Sequence, residues 1–100
     1  MNGGTGIGTA PARIAVPNLL VPPHTVAQAA AKPEFGPGML KLRIAYPAVV
    51  NFQLVILIAD PAQVPGLASS IIKDQSPAGG TMLDAGGTVT AILNAQPQTI

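Results

Sequence analysis

Two stretches of the chain carry the clearest alternation. From Met39 to Tyr46, Leu40, Leu42, Ile44 and Tyr46 fall on one face, and Lys41, Arg43 and Ala45 on the other. This period of two predicts a strand with one buried and one wet face, ended by Pro47. From Asn51 to Ala59 (NFQLVILIA), Phe52, Leu54, Ile56 and Ile58 line one face, and Val55 and Leu57 make the other apolar as well. A strand apolar on both sides reads as central and covered twice. Residues 47–50 are expected to join the two strands as an antiparallel hairpin. Leu42, Ile44, Leu54 and Ile56 are then the expected inner faces. Val55 and Leu57, beside the wet Lys41 and Arg43, need a separate cover. It would be the chain's own arm or another subunit, which makes them candidate interface residues.

Weaker signals surround this pair. Arg13 to Val16 alternates as a short strand with Ile14 and Val16 on one side, and Pro22-Pro23 sets an extended connection. His24 to Ala31 (HTVAQAAA) has the alanines of a helix. Its short run between two prolines and Val26 also fit an edge strand, which is the reading taken. Leu67 to Lys73 fits a helical turn or a short strand, and Gln75 to Gly80 (QSPAGG) is a turn cluster. Thr81 to Asp84 predicts a short strand, followed by a tight turn at Ala85-Gly86-Gly87 in which glycine supplies a positive φ. Thr88 to Ala95 alternates with Val89, Ala91, Leu93 and Ala95 inward. The result is an all-β chain, a small antiparallel β-sandwich or barrel of six to seven short strands spanning residues 13–100. The triplet Gly-Gly-Thr occurs three times at irregular spacing and reads as composition rather than a repeat.

Residues 1–12 (MNGGTGIGTAPA) stand apart. They hold Gly3, Gly4, Gly6 and Gly8, with Ile7 as the one large aliphatic residue after Met1. Such a segment buries too little to order itself. It is expected to be an extended arm held by a neighbouring chain, with Gly3, Gly4, Gly6 and Ile7 as contacts.

Composition changes the picture at the surface. Charged residues are 9% of the chain, against about 25% in an ordinary domain. Burial of part of the surface in an assembly explains this better than the alternative, a skin of Ala, Thr, Gln, Gly and Pro. The net charge is +1, and the five Lys and Arg do not cluster, so no direct nucleic-acid partner is expected. The longest aliphatic run, Leu54 to Ala59, is far short of the ~20 residues that span a bilayer. The N-terminus has neither a basic nor an apolar signal region, so no membrane partner or signal peptide is expected. With no Cys and no Trp, a disulfide scaffold, a thiol enzyme and a zinc finger are excluded.

Little remains for chemistry. His24 is the one histidine, and Ser69, Ser70 and Ser76 lie in no nucleophile-elbow motif. Glu34, Asp60, Asp74 and Asp84 each border a turn, a Pro or a Gly, where Asp ordinarily serves turn geometry. Gly4-Thr5-Gly6-Ile7-Gly8 lacks the preceding strand and following helix of a phosphate loop. The reading is a non-enzyme with no catalytic, metal or cofactor-binding residues.

The stretch from Val21 through Ala95 resembles small β-sandwich virion proteins of tailed bacteriophages. The likeness rests on an extended segment (VPPHTVAQAAA) leading into an alternating strand (MLKLRIAY), and on the later hairpin Leu83-Asp84-Ala85-Gly86-Gly87-Thr88-Val89. It implies a structural virion protein assembled in the host cytoplasm: a capsid decoration or cement protein, or a minor capsid component. Its partners would be copies of itself or a major capsid or tail protein. A tail or head-to-tail adaptor, or a fibre-attachment part, is the alternative within the same resemblance. A small ligand-binding β-module, such as a carbohydrate binder, is the alternative from another class. The absence of Trp and the single Tyr speak against it.

Overall fold

The computed structural model describes residues 12–99, and they form a small all-β fold. The expected arm contacts at Gly3, Gly4, Gly6 and Ile7 lie outside the described residues. Seven strands follow in order: β1 (Arg13–Ala15), β2 (Lys41–Val50), β3 (Gln53–Ala59), β4 (Ile72–Ser76), β5 (Met82–Asp84), β6 (Thr88–Leu93) and β7 (Gln98–Thr99). Strands β3-β2-β6-β4 make the main sheet, β7 adds to β2, and β1 pairs with β5 in a separate two-stranded sheet. The β2–β3, β4–β6 and β1–β5 pairs are antiparallel, whereas β2 runs parallel to both β6 and β7.

The alternation along β2 is met. Leu40, Leu42, Ile44 and Tyr46 are buried, and Lys41 and Arg43 are exposed. Val89, Ala91 and Leu93 of β6 are buried beside them. Ile14, Val16, Leu19, Val26, Ala29 and Leu67 close over this inner face and complete one core, with Leu19, Ile44, Val26 and Val89 fully enclosed. A core of aliphatic side chains from both sheets supplies the main driving force for the fold.

Three expectations are corrected. β2 does not stop at Pro47 but continues to Val50. Proline lacks an N–H and is poorly tolerated inside a sheet. Here β6 pairs with β2 only as far as Ala45, and β7 begins at Ala48. Pro47 therefore falls in the gap between two parallel neighbours, where no donor is required. Residues 24–31 are not a strand: Val26–Ala30 form a short helix, α1. The Thr25 hydroxyl accepts from the Gln28 N–H (3.2 Å), and the Gln28 side chain accepts from the Thr25 N–H (2.9 Å). This reciprocal capping box, together with the alanines, outweighs the short length. Third, β3 is not central; it is an edge of the main sheet.

The Ala85-Gly86-Gly87 turn is confirmed with a division of labour. Gly86 takes a φ of 90°, while a Cβ on Gly87 would lie 3.0 Å from the Asp84 carbonyl oxygen. Conformation requires the first glycine and close approach the second.

Candidate docking face

The β2–β3 register decides what the hairpin presents. Asn51 and Phe52 make the turn, with φ of 51° and 64°, and Val50 faces Gln53. Two positive φ values in a two-residue loop are the geometry that matches strand twist. Tyr46 then lies opposite Leu57, and Ala48 opposite Val55. Residues directly opposite share a face. Val55 and Leu57 therefore point to the same side as Ile44 and Tyr46, half-buried against the protein's own core. The assignment of β3 faces from sequence is inverted: Leu54 and Ile56 are not core, and Val55 and Leu57 are not an outer interface. Because β3 is apolar on both sides, its own pattern is mute, and a one-residue change of register exchanges the faces.

The outer face carries Leu54, Ile56 and Ile58, with exposures of 67%, 62% and 58%, and Phe52 in the adjoining turn is exposed at 102%. Across the ladder, Val49 adjoins Leu54, Pro47 adjoins Ile56, and Ala45 lies between Ile58 and Ile92 of β6. The chain from Ala45 to Ala59 contains no charged residue. Along β2 and β3, charge appears at the far end, where Arg43 meets Asp60 at 3.6 Å and Lys41 is exposed; across the sheet it returns on β4, where exposed Asp74 lies opposite Ile92. An open groove of about 870 Å³ lies at the Arg43 end, with Phe35, Met39, Leu40, Lys41, Arg43 and Asp60 among its lining residues.

Phe52 is conspicuous for a second reason. The left-handed region is unfavourable for a bulky side chain, and a type I′ turn prefers Gly at this place. An aromatic ring held there in full contact with solvent contributes nothing to the core, so folding alone gives no reason for it.

The chemistry-bearing residues are dispersed. His24 Nδ1 donates to the Pro22 carbonyl (2.6 Å), which occupies that nitrogen. Asp84 pairs with Arg13 (3.2 Å), and the Asp74 carboxylate accepts from the Gln75 N–H (2.8 Å). Among the described residues no three His, Asp or Glu side chains gather as metal ligands. Gln75, assigned to a turn from sequence, is a buried clamp. Its side chain accepts from the Leu19 N–H (2.7 Å) and donates to the carbonyls of Pro17 and Pro77 (3.0 Å each). No sequence signal separated it from an exposed loop glutamine. Phe52 could have been found, because an aromatic residue after Asn at a strand break is unusual for a turn.

Compared with protein-family models, with characterised proteins and with solved structures, the chain matches none.

Proposed function

We propose that the chain is a non-enzymatic structural protein that attaches to its neighbours by burying the outer face of the β2–β3 hairpin. The observation that carries this reading is the uncharged set Leu54, Ile56 and Ile58 exposed on one face of β3, with Phe52 exposed in the turn next to it. At ordinary side-chain areas the four expose roughly 550 Å², at the upper end of the largest patch on a typical monomer. At ~25 cal/mol per Å² that area represents about 14 kcal/mol of gross burial energy, before the several kcal/mol lost on association.

The resemblance to tailed-phage virion proteins supplies the setting. There the chain would be a decoration or cement protein on a capsid, with a tail or adaptor position as the alternative. The test is a pull-down on particles purified from the source, comparing wild type with Phe52→Asp and Ile56→Asp. Both positions are exposed, so both variants should keep the wild-type circular dichroism spectrum and lose particle binding, since each buries an unpaired charge at the contact. Folded variants that still bind normally refute the reading.

The groove beside Met39 and Phe35 favours a second reading, a small ligand-binding module. Its volume falls in the range of ordinary ligand sites. Chemical-shift changes confined to Phe35, Met39 and Arg43 on titration with a sugar panel would support it over the docking face.

A further inference from the structure

The main sheet has two edges, and they are built differently. The β4 edge carries Lys73 and Asp74, a register shift between Ile72 and Asp74, and Pro77 immediately after the strand. Charges, bulges and proline are the usual devices that keep a sheet edge from pairing with another chain. β3, the other edge, has none of them: Gln53–Ala59 holds no charge, no Pro, no Gly and no bulge.

The edge of β3 is also chemically open. In a two-residue hairpin the pair flanking the turn exchanges both backbone hydrogen bonds, and the pattern alternates from there. Counting from Val50–Gln53, the residues turned away from β2 are Leu54, Ile56 and Ile58. Their N–H and C=O groups point outward, and no described strand lies on that side.

We infer that β3 pairs antiparallel with β3 of a second copy, about a twofold axis at Ile56. The inference rests on the docking reading and names one of the partners of that same hairpin. Of the registers that match outward donors to outward acceptors, this one uses all three open residues. Leu54 meets Ile58 of the second copy and Ile56 meets its own equivalent, giving about six backbone hydrogen bonds. The facing side chains are aliphatic except for Gln53, which meets Ala59 at each end, so no like charges meet. Pairing over seven residues, about 23 Å of strand, buries roughly 400–500 Å² per partner. Doubled over the two partners, that area falls below the roughly 1,200–2,000 Å² of stable specific interfaces and among weak, transient ones, which corresponds to a Kd of about 1–50 μM. The two apolar faces then lie side by side in one continuous sheet. The protected β4 edges end that sheet on both sides, so assembly closes at two copies.

Sedimentation of the purified full chain at about 1–200 μM tests the inference. Wild type should convert from monomer to dimer over this range. Ile56→Lys, which sets two ammonium groups against each other across the axis, should weaken the dimer at least tenfold. Ile71→Lys, at an exposed apolar residue away from β3, should leave it unchanged. The register is read separately by a short bismaleimide, because the native chain has no Cys. Ile56→Cys should cross-link to itself, and a mixture of Leu54→Cys and Ile58→Cys should cross-link more than either alone. A wild type that stays monomeric to 200 μM, or an Ile56→Lys that dimerises like wild type, overturns the inference. Leu54→Cys cross-linking best with itself overturns the register. A monomer that still binds particles through Phe52 would sink this inference and leave the docking reading standing. A dimer indifferent to particles would do the reverse.

Discussion

Replacing Phe52 with glycine should make the protein more stable and less able to bind. The Phe52 backbone sits at a φ of 64° and the residue is fully exposed. A non-glycine residue in the left-handed region is strained by about 1–2 kcal/mol. Glycine relieves that strain but loses about 0.5–1 kcal/mol more in backbone entropy on folding. The ring buries nothing in the isolated chain, so its removal forfeits no core contact. The expected net gain is about 0.5–1 kcal/mol, or roughly 2–8 °C in Tm for a domain of this size. At the docking contact the sign reverses. Full burial of a phenylalanine side chain stabilises by about 1.5–3 kcal/mol, so Phe52→Gly should weaken particle binding roughly 10- to 150-fold. Thermal unfolding by circular dichroism and a particle-binding isotherm measure the two effects on one preparation. A Tm lowered by more than about 3 °C would mean that the ring supports the fold. A Kd within twofold of wild type would mean that it is not a contact.

Four further outcomes follow from the same geometry. Leu54→Ala, on the exposed face, should change unfolding free energy by no more than about 0.5 kcal/mol, whereas Ile44→Ala should lower it by about 2–5 kcal/mol; equal losses in urea titrations would overturn the face assignment. Gln75→Ala strands the Leu19 N–H and the Pro17 carbonyl, and should lower stability by about 2–4 kcal/mol; a loss under 1 kcal/mol would show that water replaces the amide. Leu57→Asp buries a charge against the protein's own core and should abolish the cooperative thermal transition, while Ile58→Asp, one residue along on the exposed side, should retain it. Particle binding should persist from about 0.1 M to 1 M salt, because screening lengths falling from about 10 Å to 3 Å act on charge contacts and not on apolar ones; release of wild type at 1 M salt would argue for an ionic attachment.

Where a strand alternates between polar and apolar residues, its orientation can be read directly. Lys41 and Arg43 mark the wet side of β2, and Thr88 and Thr90 that of β6, so the buried sets on both were legible. β3 offered no such contrast. Gln53 is its one polar residue, and the inner side is chosen by the turn at Asn51-Phe52, which the proline at 47 disguised. Proline reads as a strand terminator because of its missing donor. Only the tertiary pairing reveals that β6 and β7 leave that donor unneeded. The short helix α1 was within reach, since the Thr25-x-x-Gln28 box is a sequence-level signal. Gln75 was not, because its partners at Pro17 and Leu19 are more than fifty residues away. The shortage of charge foreshadows an apolar patch, although the patch lies on the opposite side of β3 from Val55 and Leu57.

The placement of β6 and β7 late in the chain also bears on synthesis. The β2–β3 hairpin is complete once Ala59 has emerged, and isolated hairpins form within about 1–10 μs. The parallel partners of β2 begin only at Thr88. At about 5–20 residues per second, the ribosome leaves this hairpin waiting for roughly 1.5–6 s. In that interval Leu42 and Ile44 lack the β6 neighbours Val89, Ala91 and Leu93 of the finished core, and Leu54, Ile56 and Ile58 stay exposed on the other side. The nascent chain therefore passes through a stage in which its most aliphatic segment is apolar on both faces and open along both edges. Synthesis rate over residues 60–90, and access to holdase chaperones, should govern how much of the product reaches the folded state.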